Sequence, residues 1–285
     1  MSESQTTVPW QDMTRRGTRP RRRRPRLGRT VWNSIIFLLY LFLLAPVLIV
    51  FVISFDTQTY LGFPPEGFTL DWYIGFLNNQ EFIRGLQVSA VVATATATVA
   101  VLVSLPASLA LTRHSFRGRS AFANLFLSPL LVPTVVLGLA LLLALSPFGL
   151  IGTYPGLVVA HLAITIPYVI RTTMIALSSA DVSCEEAART LGASPWNTFR
   201  RVTLPLAAPG ILAGAAIAFI ISFDEAVIAL FVVGPDATTL PVEIYRYVEY
   251  RTDPQIAAVS VFVVCVSVIF VVLIERILGL KRALR

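Results

Sequence analysis

The amino-acid sequence predicts an all-α integral membrane protein with six transmembrane helices. Three observations predict it: apolar residues make up 55% of the 285 positions and charged ones only 14%; the apolar residues gather into six long runs; and arginine alternates between rich and poor loops. Soluble chains carry about a quarter charged residues, and the mean hydropathy is +0.74. One core of this size cannot bury so much apolar surface, so lipid must cover part of it. A spanning helix needs about 20 mostly apolar residues, because hydrocarbon about 30 Å thick is crossed at 1.5 Å per residue.

Residues 1–30 come first, with nine arginines from Arg15 to Arg29; they predict a flexible cytoplasmic tail. The net charge of +7 also suits a nucleic-acid-binding arm, but no aromatic platform accompanies the arginines, and most other basic residues flank apolar runs, as at cytoplasmic membrane edges. The run 31–55 is longer than a signal-peptide core of about 7–15 residues, and no small-residue cleavage site follows it; it predicts a retained first helix. The remaining spans are expected at 86–111, 122–145, 154–177, 206–233 and 256–278, which makes 31–285 a single transmembrane domain. A Ser-Pro-Phe-Gly stretch at 146–149 predicts the turn ahead of the fourth span.

Orientation follows from the loops. The first, 56–85, sets Asp56, Glu66, Asp71 and Glu81 against Arg84, and the second carries Arg113, His114, Arg117 and Arg119. The fourth carries Arg189, Arg200 and Arg201; in the fifth, Arg246 and Arg251 are outnumbered by Asp236, Glu243, Glu249 and Asp253. The C-terminus ends in Arg276, Lys281, Arg282 and Arg285. That alternation puts both termini in the cytoplasm. In the first outer loop Thr69 is placed to cap a short helix whose aromatics lie along the membrane surface. Cys184 and Cys265 fall on an inner loop and in a span, with no disulfide or metal-ligand spacing.

The inner loop 178–203 holds the most specific pattern. Ser183 and Glu186 have capping-box spacing, residues 184–191 are good helix formers, and Gly192 suits a left-handed helix end. Ser194-Pro195 then starts a second short helix, on which Trp196 and Phe199 share a face; Pro205 restarts the chain as the fifth span. Two short helices bent at Gly192 either lie on the headgroups or are offered to another protein, and the residues alone leave both open.

Ser222-Phe223-Asp224-Glu225 puts two acids inside the fifth apolar run, Asp224 near its middle. An intramembrane charge costs about 2.5–3.5 kcal/mol on insertion scales and faces a bundle interior or a water path. The acids therefore either cap a broken helix and bond its backbone, or line a translocation path and attract a cation. Gly210, Gly214, Ala218 and Ser222 form a small-residue stripe suited to close helix packing. His161 reads as a packing residue, and Arg171 as one that snorkels to the inner surface.

Glu186-Ala187-Ala188, Gly192 and Val202-Thr203-Leu204-Pro205 at these spacings resemble the EAA signature of binding-protein-dependent ABC permeases. Residues 152–171 and 222–254 resemble the second permease of spermidine/putrescine-type importers, a branch that also includes importers of opines, phosphonates and other small solutes. The resemblance implies the type I importer permease fold in a bacterial inner membrane. It makes Glu186, Ala187, Ala188, Gly192 and the segment Ala193, Ser194, Pro195, Trp196 to Phe199 the contact with a separate ATPase dimer. It also implies a second, homologous permease, an extracytoplasmic solute-binding protein, and a polyamine cargo met by Ser222, Phe223, Asp224 and Glu225. The chain has no Gly-x-x-x-x-Gly-Lys-Ser/Thr loop, and Lys281 is its only lysine; it carries no cofactor of its own, and ATP and Mg belong to the partner ATPase. Outside the resemblance, an ion-coupled transporter using Asp224 and Glu225, or a membrane anchor or sensor, also fits the spans.

Overall fold

Inside hydrocarbon each backbone N–H and C=O must find its partner within the protein, so long apolar runs become helices. The computed structural model describes residues 26–278. The arginine tail up to residue 25 and the basic C-terminal residues 279–285 lie outside the described residues. The chain divides into two compact units, Met1–Ile49 and Val50–Arg285. Helix α1 (Arg26–Ile53), with Pro46 inside it, supplies the described part of the first.

The second unit contains α2 (Asp71–Asn78), α3 (Gln80–Arg113), α4 (Arg119–Leu127), α5 (Thr134–Leu145), α6 (Tyr154–Ser179), α7 (Val182–Thr190), α8 (Pro195–Thr198), α9 (Leu204–Asp224), α10 (Val227–Val232), α11 (Leu240–Tyr250) and α12 (Gln255–Leu278). Five helical runs among the described residues are long and apolar enough to cross a membrane, and a sixth is made if one bent pair counts as a span.

That pair corrects the expected third span. Arg119–Leu131 and Thr134–Phe148 meet at 108° rather than forming one rod over 122–145. Val132 is extended and followed by Pro133, which has no N–H to continue the ladder and forces its predecessor out of helical geometry. The fifth span is corrected too: α9 stops at Asp224, and Glu225 is extended (φ −74°, ψ 112°). Asp224 thus ends a helix instead of sitting midway along one. Nor does Pro205 separate the second short helix from the span. The segment Pro195–Asp224 is one helical run, carried across Phe199–Thr203 by a π turn in which Leu204 N–H reaches back to the Phe199 carbonyl.

Near the start of the unit, α2 packs one face inward and leaves Ile74 and Leu77 exposed: Phe76 is fully buried, with Phe82 and Phe262 rings 5.9 and 5.0 Å away. Trp72 Nε1 donates to the Asp56 carbonyl (2.6 Å), and Thr69 Oγ1 accepts from Asp71 N–H (3.1 Å).

Helices α3, α6 and α9 pack against one another as the central layer. Ser108 Oγ of α3 donates to the Ile170 carbonyl of α6 at 3.3 Å. The small-residue stripe of α9 lies on α6, as its spacing predicts. A methyl at Gly210 would fall 2.8 Å from the Thr172 carbonyl oxygen, and one at Gly214 3.1 Å from Val169 Cα; Ala218 is buried beside Val169. Lipid tails are as apolar as leucine, so close backbone approach, more than the hydrophobic effect, holds such helices together. Gly210→Val is therefore expected to destabilise the detergent-solubilised protein by about 1–3 kcal/mol, read as a lowered midpoint of thermal unfolding; an unchanged midpoint would contradict the seam.

Candidate functional site

Two places bring the sequence-predicted residues together. The first is the knuckle between α6 and α9. Its helix α7 begins two residues earlier than Ser183 allows: Asp181 is the cap, its Oδ1 accepting from Ser183 N–H at 2.9 Å and from the Ser183 hydroxyl. The Ser183–Glu186 capping box does not form because Ser183 already lies inside the helix. Those Ser183 hydrogen bonds hold the Asp181 carboxyl below the usual carboxylate range. At the other end Gly192 has φ +86°, Gly192 N–H donates to the Arg189 carbonyl (2.9 Å) and Ala193 N–H to the Ala188 carbonyl (3.0 Å). This is the paired closure of a Schellman motif, which needs a left-handed residue.

Ser194 then caps α8, accepting from Asn197 N–H at 3.3 Å, with Pro195 in the first turn. Trp196 and Phe199 rings lie 5.5 Å apart. Glu186, Ala187, Gly192, Ser194, Pro195 and Trp196 are exposed, while Ala188, Ala193 and Phe199 are half-buried. Leu191 protrudes beside them at 89% exposure and Trp196 at 66%. Leu191 belongs to no motif, and its place directly before the bend glycine is its one signal in the sequence. Glu185 has no such signal; it turns inward to Arg113 at 3.0 Å.

The second place is the break after α9. His161 is fully buried on α6, and its Nδ1 is 2.7 Å from Ser222 Oγ. His161 is the eighth residue of α6, so the break lies ~10 Å from the end of α6 remote from the knuckle. Phe223 is buried, its ring stacked on Phe219 at 5.8 Å. The Glu225 carboxylate accepts from Ile228 N–H at 2.9 Å and so starts α10; Ile228, Ala229 and Val232 then enter the core beside Leu157 and Ile164. Asp224 is exposed. Of the two acids, then, Glu225 has a backbone partner in the broken helix and Asp224 is the exposed one. Arg171, further along α6, is exposed.

The chain matches the family described as "Binding-protein-dependent transport system inner membrane component" over residues 100–282, which include the knuckle and the break. The chain belongs to that family. Among the curated relatives of this inner membrane component, the spermidine/putrescine transport system permease protein PotC of Escherichia coli (strain K12) is 30% identical over 246 residues, 86% of this chain and 93% of that protein. The putrescine transport system permease protein PotI of the same strain is 34% identical over 243 residues, 82% of this chain and 86% of that one. A chain from a bacterial ABC transporter involved in the import of the acidic polysaccharide alginate superposes with a TM-score of 0.67 at 18% identity, covering 89% of this chain and 96% of that one. That likeness is one of fold.

A cavity of 660 Å³ opens where α3 begins, lined by Glu81, Arg84, Glu243, Arg246, Tyr247 and Arg251 among others. It lies at the opposite end of the unit from the knuckle, since Arg113 at the far end of α3 touches α7. Burial raises the Glu243 carboxyl above its ordinary 4.5; nearby Arg246 opposes the rise and Glu81 adds to it. A raised folded value means that this group's contribution to stability is present below 4.5 and lost as pH climbs through the folded value. Glu243→Gln is expected to flatten that loss, giving a higher unfolding midpoint than the native chain on the alkaline side. Thermal unfolding followed from about pH 4 to 8 checks it, and parallel pH curves for the two proteins would rule it out.

Proposed function

We propose that this chain is the permease subunit of an importer whose energy comes from a separate ATPase dimer. In this reading it pairs with a second, homologous permease, receives solute from an extracytoplasmic binding protein, and carries a polyamine. Both termini face the cytoplasm, and ATP and Mg reside on the partner ATPase. The observation that carries the reading is the exposed apolar knuckle. Helix α6 is 26 residues long, about 39 Å, against roughly 30 Å of hydrocarbon, so α7 and α8 extend past the lipid core. There Leu191 and Trp196 stand out among Asp181, Glu186, Arg189, Arg200 and Arg201, all exposed. An aromatic and a leucine raised on a rigid bend, rimmed by charge, have the form of an interface anchor. The EAA-type spacing of Glu186, Ala187, Ala188 and Gly192 supports an ATPase as the occupant.

The cargo assignment draws on the names of PotC and PotI and on Asp224. A polyamine is an extended cation, and the exposed Asp224 carboxylate at membrane depth attracts its ammonium groups. Ser222 and Phe223 shape the wall behind it, and Glu225 sets the break at which Asp224 is exposed.

Two measurements test this. Leu191→Asp with Trp196→Asp should remove the ATPase from the purified complex, since an anchor of this kind contributes about 2 kcal/mol or more, roughly 30-fold in affinity, while the chain still inserts. Undiminished recovery of the ATPase would mean that the knuckle lies on the headgroups instead. For the cargo, Asp224→Asn should lower putrescine uptake by roughly tenfold or more, the scale of a lost charge-assisted contact. Glu225→Gln keeps a carbonyl acceptor for Ile228 N–H and should be milder. Full uptake in Asp224→Asn, or uptake by the lone chain on an ion gradient, would sink the assignment.

A further inference from the structure

Helix α7 has weak covalent control over its own direction. On one side Ala180 and Asp181 are extended (φ −77°, ψ 131°; φ −69°, ψ 120°), and on the other stands the left-handed Gly192. The Gly192 end is closed by its Schellman hydrogen bonds, so the extended Ala180–Asp181 link is the one about which α7 can turn relative to α6. Something else must fix the angle at which the knuckle is held, and two contacts do. One is packing of α7 against the π turn Phe199–Thr203 at the head of α9. The other is an ion pair that crosses 72 residues of sequence: Arg113 Nε donates to Glu185 Oε1 at 3.1 Å, and Arg113 Nη2 lies 3.0 Å from the same oxygen.

This pair differs from a surface contact. The side chains are only 14% and 9% exposed, so each charge depends on the other, and loss of one leaves the other buried and unpaired. The only other ion pair among the described residues, Arg246 with Glu243, is longer at 3.7 Å, and its Arg246 side chain is 48% exposed. Arg113 is also the last residue of α3, a helix of 34 residues, about 50 Å long. Its first turn, with Glu81 and Arg84, lines the cavity at the other end of the unit.

We infer that Arg113 is a positioning residue for energy coupling: through Glu185 it locks α7 to the end of α3, so that force received at the knuckle moves α3 together with α9. This rests on the reading of the knuckle as the ATPase contact. Glu185 stands next to the Glu186-Ala187-Ala188 segment, turned about 100° from Glu186 and buried against Arg113 while Glu186 is exposed, so the adjacent acids divide two tasks. Glu186 faces the partner, and Glu185 holds the helix that presents it.

The test uses the assembled importer in liposomes, with ATPase, partner permease and binding protein, and labelled putrescine as the probe. Arg113→Met and Glu185→Gln should each lower putrescine imported per ATP hydrolysed by roughly 3- to 30-fold, the range of coupling energies carried by single network residues, with the ATPase still bound. The exchanged pair Arg113→Glu/Glu185→Arg should restore the ratio. If a single variant does not assemble, Arg113→Met/Glu185→Met leaves no orphan charge and should assemble yet remain uncoupled. A readout independent of cargo is a spin label on exposed Cys184 of α7 (with Cys265→Ser), which should gain mobility in Arg113→Met and lose it again in the exchanged pair. A native ratio and unchanged label mobility in the double-neutral variant overturn the lock. The knuckle reading fails separately, if Leu191→Asp/Trp196→Asp keeps the ATPase bound.

Discussion

The close seam between α6 and α9 is the constraint on which the rest of the structure depends. In lipid, two helices gain little from hiding leucines from their surroundings, and what holds them is van der Waals contact at short range with an occasional hydrogen bond. Gly210 and Gly214 bring the α9 backbone against Thr172 and Val169, and the seam ends in the Ser222–His161 hydrogen bond. Because that register is fixed over three turns, the end of α9 is fixed too. The break at Glu225 therefore stays at one depth relative to α6, and Asp224 is exposed there and not elsewhere.

Breaking a helix within a membrane unit leaves backbone groups without partners, which is expensive away from water. Glu225 answers part of that cost by bonding Ile228 N–H, and α10 buries Ile228, Ala229 and Val232 at once. The loop before α6 closes the far side, where Gly152 N–H donates to the Val232 carbonyl at 2.8 Å. An acid that looks like a candidate for transport thus has a structural duty, and it frees its neighbour from one. This division explains why two adjacent carboxylates, which would repel each other in a low-dielectric setting, can coexist: one is tied to a backbone donor and the other is open.

The helices were legible because hydrophobic length is a strong signal, and local caps were legible where one residue decides them. Gly192 and Ser194-Pro195 act as their chemistry dictates, and the α9 stripe lies where a spacing of four puts it. What hydropathy could not show was a break inside a continuous apolar run. Residues 206–233 contain no proline or glycine near 225, so nothing in composition separates α9 from α10; the Glu225 bond to Ile228 N–H and the packing of α10 into the core do. In 122–145 the signal was present in Pro129 and Pro133 but was outweighed by apolar length. The Arg113–Glu185 pair was invisible for a different reason. Its partners are far apart in sequence, and each alone reads as an ordinary loop charge.

The continuity of Pro195–Asp224 gives these parts a mechanical relation that a restart at Pro205 would have denied them. A proline within a helix costs a hydrogen bond and meets the carbonyl one turn back. Here the π turn at Phe199–Thr203 shifts the bonding pattern just ahead of Pro205, and the helix passes through. The result is a run of 30 residues, on the order of 45 Å, with the knuckle at one end and the open carboxylate at the other. A packed helix seated on α6 does not compress; tilting its head must displace its tail or slide the seam. With Arg113 joining the same knuckle to α3, two of the three central helices meet at one point. The third, α6, is gripped between them by Gly210, Gly214 and Ser108. Movement at the knuckle must then be expressed where that grip ends, at the Ser222–His161 contact and the break beside it.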